Sequence, residues 1–428
     1  MGLEKDIPEL IKAGIITPEV AEGIQQYYKN RNGSSTSRLF LAFGILGAIL
    51  VGLGIILIIA HNWDQLSKPT KTVFAFFPLI VAQVISAYVL LKRMSNKTWI
   101  ESTSTFLIFA VGACLSLVSQ IYHISGNLQS FLLIWMLLIL PVIYLMNSSM
   151  AAILYLCGIT LYAVESGYNY PFDSNIYFYW LLLLAIFPHY YLLLKNNRQS
   201  NFLNIENWLI PLSITLVLGT IVSTAQSLLF VAYFSLFGLF YSIGNTPLFK
   251  ERNLRNNPYK VVGELGILIL LYITSFDGFW KEMQMDSPRL RNYFTAPEFW
   301  ASIIITTLTL LLFYQQQKLK PLWKVPPLSP IFILFILVFA LGYFTTISVI
   351  LINLIILAVG IITIFQGAEK EHLGILNFGL SIITVWIIIR FLNTDLSFVI
   401  RGLILIIIGI GFFMANYLML KKRRKDGK

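Results

Sequence analysis

Charge is what this chain has least of. Only 12% of its 428 residues are Asp, Glu, Lys or Arg, about half the ~25% of an ordinary soluble domain. With 57% hydrophobic residues beside so few charges, a water-soluble fold is excluded. Cysteine is nearly absent too: Cys114 and Cys157 sit in separate apolar blocks, so neither a disulfide framework nor a metal cluster follows, and both read as small buried hydrophobes. Residues 1–37 lack a short apolar region with a small-residue cleavage site, so the first span is expected to be an uncleaved anchor. No Gly-Lys-Ser/Thr phosphate loop occurs, no row of intramembrane acids marks a rotary or antiport proton path, and no polar interval is large enough for a soluble catalytic domain.

What is present is a series of apolar blocks of helix-spanning length, near the ~20 residues needed to cross a hydrocarbon core of ~30 Å. Barrel strands would be shorter and alternating. The chain reads as an all-α, polytopic transmembrane bundle of about fourteen spans, twelve to fourteen. They are expected at 39–60, 72–91, 103–122, 128–146, 149–164, 176–194, 207–224, 227–243, 261–276, 299–314, 328–345, 347–366, 373–390 and 398–420. The short 149–164 block and the tight pair around Thr224 could each be a broken or re-entrant helix.

Before the first span, residues 4–30 read as a small cytoplasmic helical hairpin. Gly14 ends its first helix, and Thr17-Pro18-Glu19 supplies an N-cap with proline at the first helical position of the second. So short a segment needs a surface to pack on, the membrane bundle or a cytoplasmic partner. Asn32-Gly33-Ser34-Ser35-Thr36-Ser37 reads as a flexible linker. The expected organisation is a hairpin and linker over 1–37, a bundle over 38–420 and a basic tail over 421–428.

The net charge of +11 is a topology signal and not a nucleic-acid footprint, because the basic residues sit in short loops and at the C-terminus. With an even number of spans and the N-terminus inside, 24 of the 31 Lys and Arg fall on the cytoplasmic side and 7 outside. Both termini are therefore expected in the cytoplasm, with the tail run Lys421–Lys425 near anionic lipid headgroups.

Polar side chains gather at the outer ends of a few spans. His61-Asn62-Trp63-Asp64 closes the first, and Lys68-Pro69-Thr70-Lys71 leads into the second. Trp63 suits an interfacial anchor and Asp64 a local cap, while His61 with Asp64 could act as a titratable pair. The third span ends in Ser119-Gln120-Ile121-Tyr122-His123, with Ser116, Ser119 and His123 on one helical face. Arg390, Asp395 and Arg401 form a further charged group, read either as a paired structural cluster or as an anion or lipid-headgroup site. The candidate outer-face cluster is thus His61, Asp64, Lys71, Gln120, Tyr122, His123, Arg390, Asp395 and Arg401. Glu264 is the candidate intramembrane acid, with Lys260 close by as an ion-pair partner; Gln83, Asn353 and Asn377 are the other deep polar residues. Gly44, Ala48 and Gly52, four apart, permit close helix approach. Pro78, Pro141, Pro188 and Pro211 interrupt other spans. The loop after residue 276, with Trp280, Asp286, Arg289, Arg291 and Tyr293, could form a short interfacial helix.

The Ile59-Ala60-His61-Asn62-Trp63-Asp64 run, the Lys68-Pro69-Thr70-Lys71 run, the Gln120–Gly126 segment and the N-terminal hairpin with its Gly-Ile-Ile-Thr turn carry a resemblance. Over about residues 1–146 the chain resembles the DUF2157 family of bacterial predicted membrane proteins. The resemblance implies a multi-pass protein of the bacterial cytoplasmic membrane. It implies no activity, and no functional residue is carried over from it.

The composition and spacing favour a transporter or flippase-like protein for a small or lipid-linked substrate, although no internal repeat is evident. A membrane-embedded transferase or ligase using His61, Asp64, His123, Arg390 and Arg401 at the outer face is the enzymatic alternative. A scaffold whose hairpin recruits a cytoplasmic partner is the non-catalytic one. Haem held by His61 and His123 would have only two candidate ligands, so no cofactor and no metal are expected; the expected partners are membrane lipids and no nucleic acid.

Overall fold

The computed structural model describes residues 7, 11, 13–14, 16–61, 66–169, 174–223, 225–250, 252–285, 294–318, 325–392 and isolated positions between 402 and 417. Every regular element among them is a helix. Two compact units result, residues 1–166 with 177–206, and residues 167–176 with 207–428.

The first unit holds α1 (Pro18–His61), α2 (Lys68–Lys92), α3 (Lys97–Tyr122), α4 (Leu128–Met146), α5 (Ser149–Val164), α6 (Phe178–Asn196) and the start of α7 (Asn201–Leu218). Before α1, the expected turn chemistry is present: Gly14 takes a left-handed φ of 67°, and Thr17 Oγ1 accepts from Val20 N–H at 3.4 Å. The Asn32–Ser37 tract, however, is helical, because α1 is one helix of 44 residues. At 1.5 Å per residue that is ~66 Å, about twice a hydrocarbon core, so about half of α1 extends past any span it makes.

The glycine face of α1 makes the close approach its spacing permits, and the partner is α3. A Cβ on Gly44 would lie 2.5 Å from Ser102 Oγ, and one on Gly52 3.3 Å from Phe109 Cβ; both indices rise together, so α1 and α3 run parallel. α2 returns antiparallel between their ends and packs Ala75 against Leu117 and Ile121. Trp135 of α4 donates its indole N–H to Ile108 O of α3 at 2.9 Å, over the gap left by Gly112. Tyr155 of α5 donates to Leu182 O of α6 at 3.1 Å. Pro78, Pro141, Pro188 and Pro211 all lie inside helices that continue past them, as membrane helices tolerate.

The second unit contains the rest of α7, α8 (Gln226–Gly244), α9 (Pro258–Thr274), α10 (Asp277–Met285), α11 (Pro297–Gln317), α12 (Ile331–Gly342), α13 (Ile347–Glu369) and α14 (Leu373–Leu392). α8 is its axis. Against α9 the backbones touch: a Cβ on Gly263 would meet Tyr241 N at 2.5 Å and Phe237 O at 2.8 Å. Against α11 the contact is a polar ladder. Gln316 donates to Ser242 O at 2.7 Å, and the Ser302 and Thr309 hydroxyls stand 3.0 Å from Leu228 O and 2.8 Å from Ser235 O, each sharing its one hydrogen with a carbonyl of its own helix. Donors and acceptors both recur every seven residues, the period that keeps one seam between two helices facing inward.

Ten helices among the described residues are long and apolar enough to cross a membrane, or eleven if α9 and α10, bent by 74°, are one span. The remaining expected spans differ for identifiable reasons. The 39–60 block is part of long α1, with Ala42–Gly54 as its apolar stretch. The 328–345 block forms α12, only 12 residues long, or ~18 Å. Most of 398–420 lies outside the described residues. The 149–164 block is extended by a π-helical turn, Glu165–Asn169, to a span of 21 residues. α10 realises the short helix expected after residue 276; Asp286, Arg289, Arg291 and Tyr293 are outside the described residues. Trp280 on this helix is buried and donates to Thr274 O at 2.7 Å.

Gly263→Ala is expected to destabilise the protein by about 1–3 kcal/mol, because overpacking against backbone cannot relax by a side-chain rotation. Gly54→Ala, where a Cβ meets nothing within 4 Å, is expected to be neutral or slightly stabilising. Thermal unfolding in detergent checks the pair; equal melting temperatures would contradict the close α8–α9 approach.

Candidate functional site

Three buried glutamates organise the polar interior. Glu101 is in the second turn of α3, whose start is fixed by Asn96: its Oδ1 accepts from Thr98 N–H at 3.0 Å and Trp99 N–H at 3.4 Å. The Glu101 carboxylate then accepts from Ser149 N–H at 3.1 Å, Met150 N–H at 2.8 Å and the Ser148 hydroxyl. Ser148 in turn accepts from Ala151 N–H at 3.2 Å. A negative group thus fills the N-terminus of α5, where four N–H groups lack helical partners and the helix dipole is positive. Glu298, in the first turn of α11, does the same in the second unit: its carboxylate accepts from Ser223 N–H, the Ser223 hydroxyl at 2.9 Å and Ala225 N–H at 3.4 Å, just before α8.

Glu206, on α7, has no such engagement. It is 1% exposed, and Oε1 lies 3.6 Å from Nε2 of His189, itself 5% exposed. That separation is too long for a hydrogen bond. Among the described residues His189 Nε2 and both Glu206 oxygens have no hydrogen-bond partner. His189 follows Pro188 on α6, and α6 is held nearby by the Tyr144 hydroxyl on Ala185 O and the Tyr155 hydroxyl on Leu182 O.

His189 and Glu101 line a cavity of about 760 Å³ at one end of the first unit. Its walls come from the start of α3 (Lys97, Thr98), the α4–α5 turn (Asn147, Ser149), the end of α6 (Asn196) and the loop into α7 (Asn197–Ser200). The volume falls in the ~300–1,000 Å³ range of small-molecule sites. Its lining offers amides, hydroxyls and both signs of charge, groups suited to orienting a polar solute or headgroup. Among the described residues no three His, Cys, Asp or Glu gather as metal ligands, and Cys114 and Cys157 are free.

The sequence placed its candidate cluster at the opposite end of these helices. There the structure brings together the start of α2, with Lys71, and the end of α3: Thr72 Oγ1 and Tyr122 Oη are 3.2 Å apart. Gln120 is exposed. The Ser119–His123 face is a helix stop: His123 caps α3 at φ 52°, with its N–H on Ser119 O, and the Ser119 hydroxyl donates to Ile124 O at 3.0 Å. His61 is the last residue of α1, but its side chain, like all of Asp64, Asp395 and Arg401, is outside the described residues. Arg390 belongs to the second unit. Its Nε donates to Asn353 Oδ1 at 3.1 Å, its Nη2 to Ser275 O, and its guanidinium stands 4.9 Å from the Phe276 ring centroid. It thus supports the α9–α10 bend. Glu264 pairs with Lys260 at 3.7 Å on the same helix.

Sequence reasoning missed Glu101, His189, Glu206 and Glu298. Hydropathy windows opened at 103, 207 and 299, just past each glutamate, while the helices begin earlier, at Lys97, Asn201 and Pro297. The available signal was capping chemistry: Asn96, and proline at the first helical position of α11.

Residues 8–152 match the family described as "Predicted membrane protein (DUF2157)". The match takes in Glu101 and its partners Ser148–Met150 and ends before His189 and Glu206. No curated protein and no solved structure matches the chain.

Glu101→Ala is expected to destabilise by about 3 kcal/mol, since it strands three buried or half-buried donors. The double replacement Glu206→Met with His189→Leu, which exchanges the whole buried pair for apolar side chains, is expected to cost little or to stabilise. Melting temperatures of the two proteins check the contrast, and a larger loss in the double variant would refute it.

Proposed function

We propose that this membrane protein is a transporter or flippase-like protein for a small or lipid-linked polar substrate, and that the substrate engages it through the cavity of the first unit. One observation carries the reading: a solute-sized cavity of about 760 Å³ is walled in part by His189, whose Nε2, like both oxygens of the neighbouring Glu206, has no hydrogen-bond partner among the described residues. Glu101, Glu298 and Arg390, by contrast, each hold two or more hydrogen bonds to other helices or their ends. Buried ionisable groups in a membrane bundle otherwise line substrate or ion paths.

The orientation we infer has both termini in the cytoplasm of a bacterial cell, with the cavity opening inward. The Lys and Arg distribution of 24 against 7 supports it. So does the grouping of Lys97 and Arg198 with the α4–α5 turn around one mouth, as alternating spans require.

Proteoliposomes test the function. Fluorescent phosphatidylglycerol bleached by dithionite reads lipid movement, and isotonic swelling in amino acids and sugars reads solute movement. At least one is expected to exceed empty liposomes and to fall in Asn197→Trp, which obstructs the mouth. Both at background would refute the reading. For orientation, alkaline phosphatase is expected to be active when fused after Gly126 and inactive after Gln199; the opposite pattern would invert the topology.

A further inference from the structure

We propose that His189 and Glu206 form a proton-binding site that exchanges with water in the cavity, so that occupancy of the site couples to the proton gradient. The coupling rests on the transport reading above; the proton site itself does not.

Three buried carboxylates differ in their surroundings. Glu101 and Glu298 each receive three donors at a helix start. Glu206 receives none among the described residues, although it is the deeper buried of the ionisable pair it makes with His189. A buried ion pair without supporting hydrogen bonds gives little stability, and apolar residues of similar size serve packing better. Such a pair leaves both a carboxylate and an imidazole nitrogen with capacity for a proton. The cavity supplies the route, because His189 is part of its wall.

The charged and titratable groups around the pair come from every neighbouring element. Glu101 faces it from α3 with its charge already held at the α5 N-terminus. Lys97 and Arg198 line the cavity mouth. Tyr144 of α4 and Tyr155 of α5 have their hydroxyls on α6 carbonyls. The remaining lining is amide, hydroxyl or apolar. The pair gains one proton from a cavity water and returns it the same way, with no other bond made or broken.

The test is infrared difference spectroscopy on the full-length protein in lipid, titrated with pH in H₂O and D₂O without any solute. The wild type is expected to show a titrating, deuterium-sensitive carboxylic-acid C=O band, retained in Glu101→Gln and absent in Glu206→Gln. In His189→Gln the band is expected to persist with its midpoint moved by about one pH unit. A band that survives Glu206→Gln, no titrating band, or an unmoved midpoint in His189→Gln overturns the proposal; the last arm keeps it testable if Glu206→Gln does not fold. Loss of transport with the band intact refutes the transport reading alone, and an absent band with transport intact refutes the proton site alone.

Discussion

A polar atom buried among apolar helices has no water to turn to, and leaving it unpaired costs roughly 2–7 kcal/mol. That constraint explains how this structure is joined. Two helix starts are closed by a side chain from a different helix: Glu101 closes the start of α5 and Glu298 the approach to α8. Asn353 and Arg390 take up the Ser275 carbonyl where α9 gives way to α10. Charge is scarce in the chain, and much of what is buried serves to terminate helices.

The same constraint explains what was legible in the sequence. Helix type, the placement of ten spans and a close approach at the glycine face of α1 followed from hydropathy and small-residue spacing, which report lipid exposure and close approach, whereas the partner of that face, α3, did not. Gly14 and Thr17 gave the N-terminal turn, because caps are local. The continuity of α1 through Asn32–Ser37 was not legible: glycine and serine lower helix propensity only modestly, and apolar sequence follows them directly. The interior glutamates were hidden for a related reason. A carboxylate one or two turns inside a helix resembles a loop residue to any average over hydropathy, and its partners are remote, 47 to 49 residues away for Glu101 and 73 to 75 for Glu298.

The polar features at the two ends of the first unit therefore differ in kind. At the Tyr122 end of the first unit they are short-range stops and a hydroxyl pair, which hold helix ends in place. At the Glu101 end they surround a cavity, and one nitrogen of His189 in its wall has no hydrogen-bond partner among the described residues. The stretch shared with the DUF2157 family supplies α1 to the start of α5, including the Glu101 cap. Beyond it, α6 adds His189 to the cavity wall and α7 places Glu206 beside that histidine.

The α8–α11 ladder repeats its donors at Ser302, Thr309 and Gln316 against carbonyls at Leu228, Ser235 and Ser242 with a constant separation of 74 residues. Sliding one helix along the other would break every rung together, and the next matching register lies seven residues on, ~10.5 Å away. Small axial displacements meet a restoring force and large ones a barrier. These two helices therefore behave as a single strut, and conformational change in the second unit has to be carried by rotation about that strut or by elements hinged on it, such as the bent α9–α10 pair.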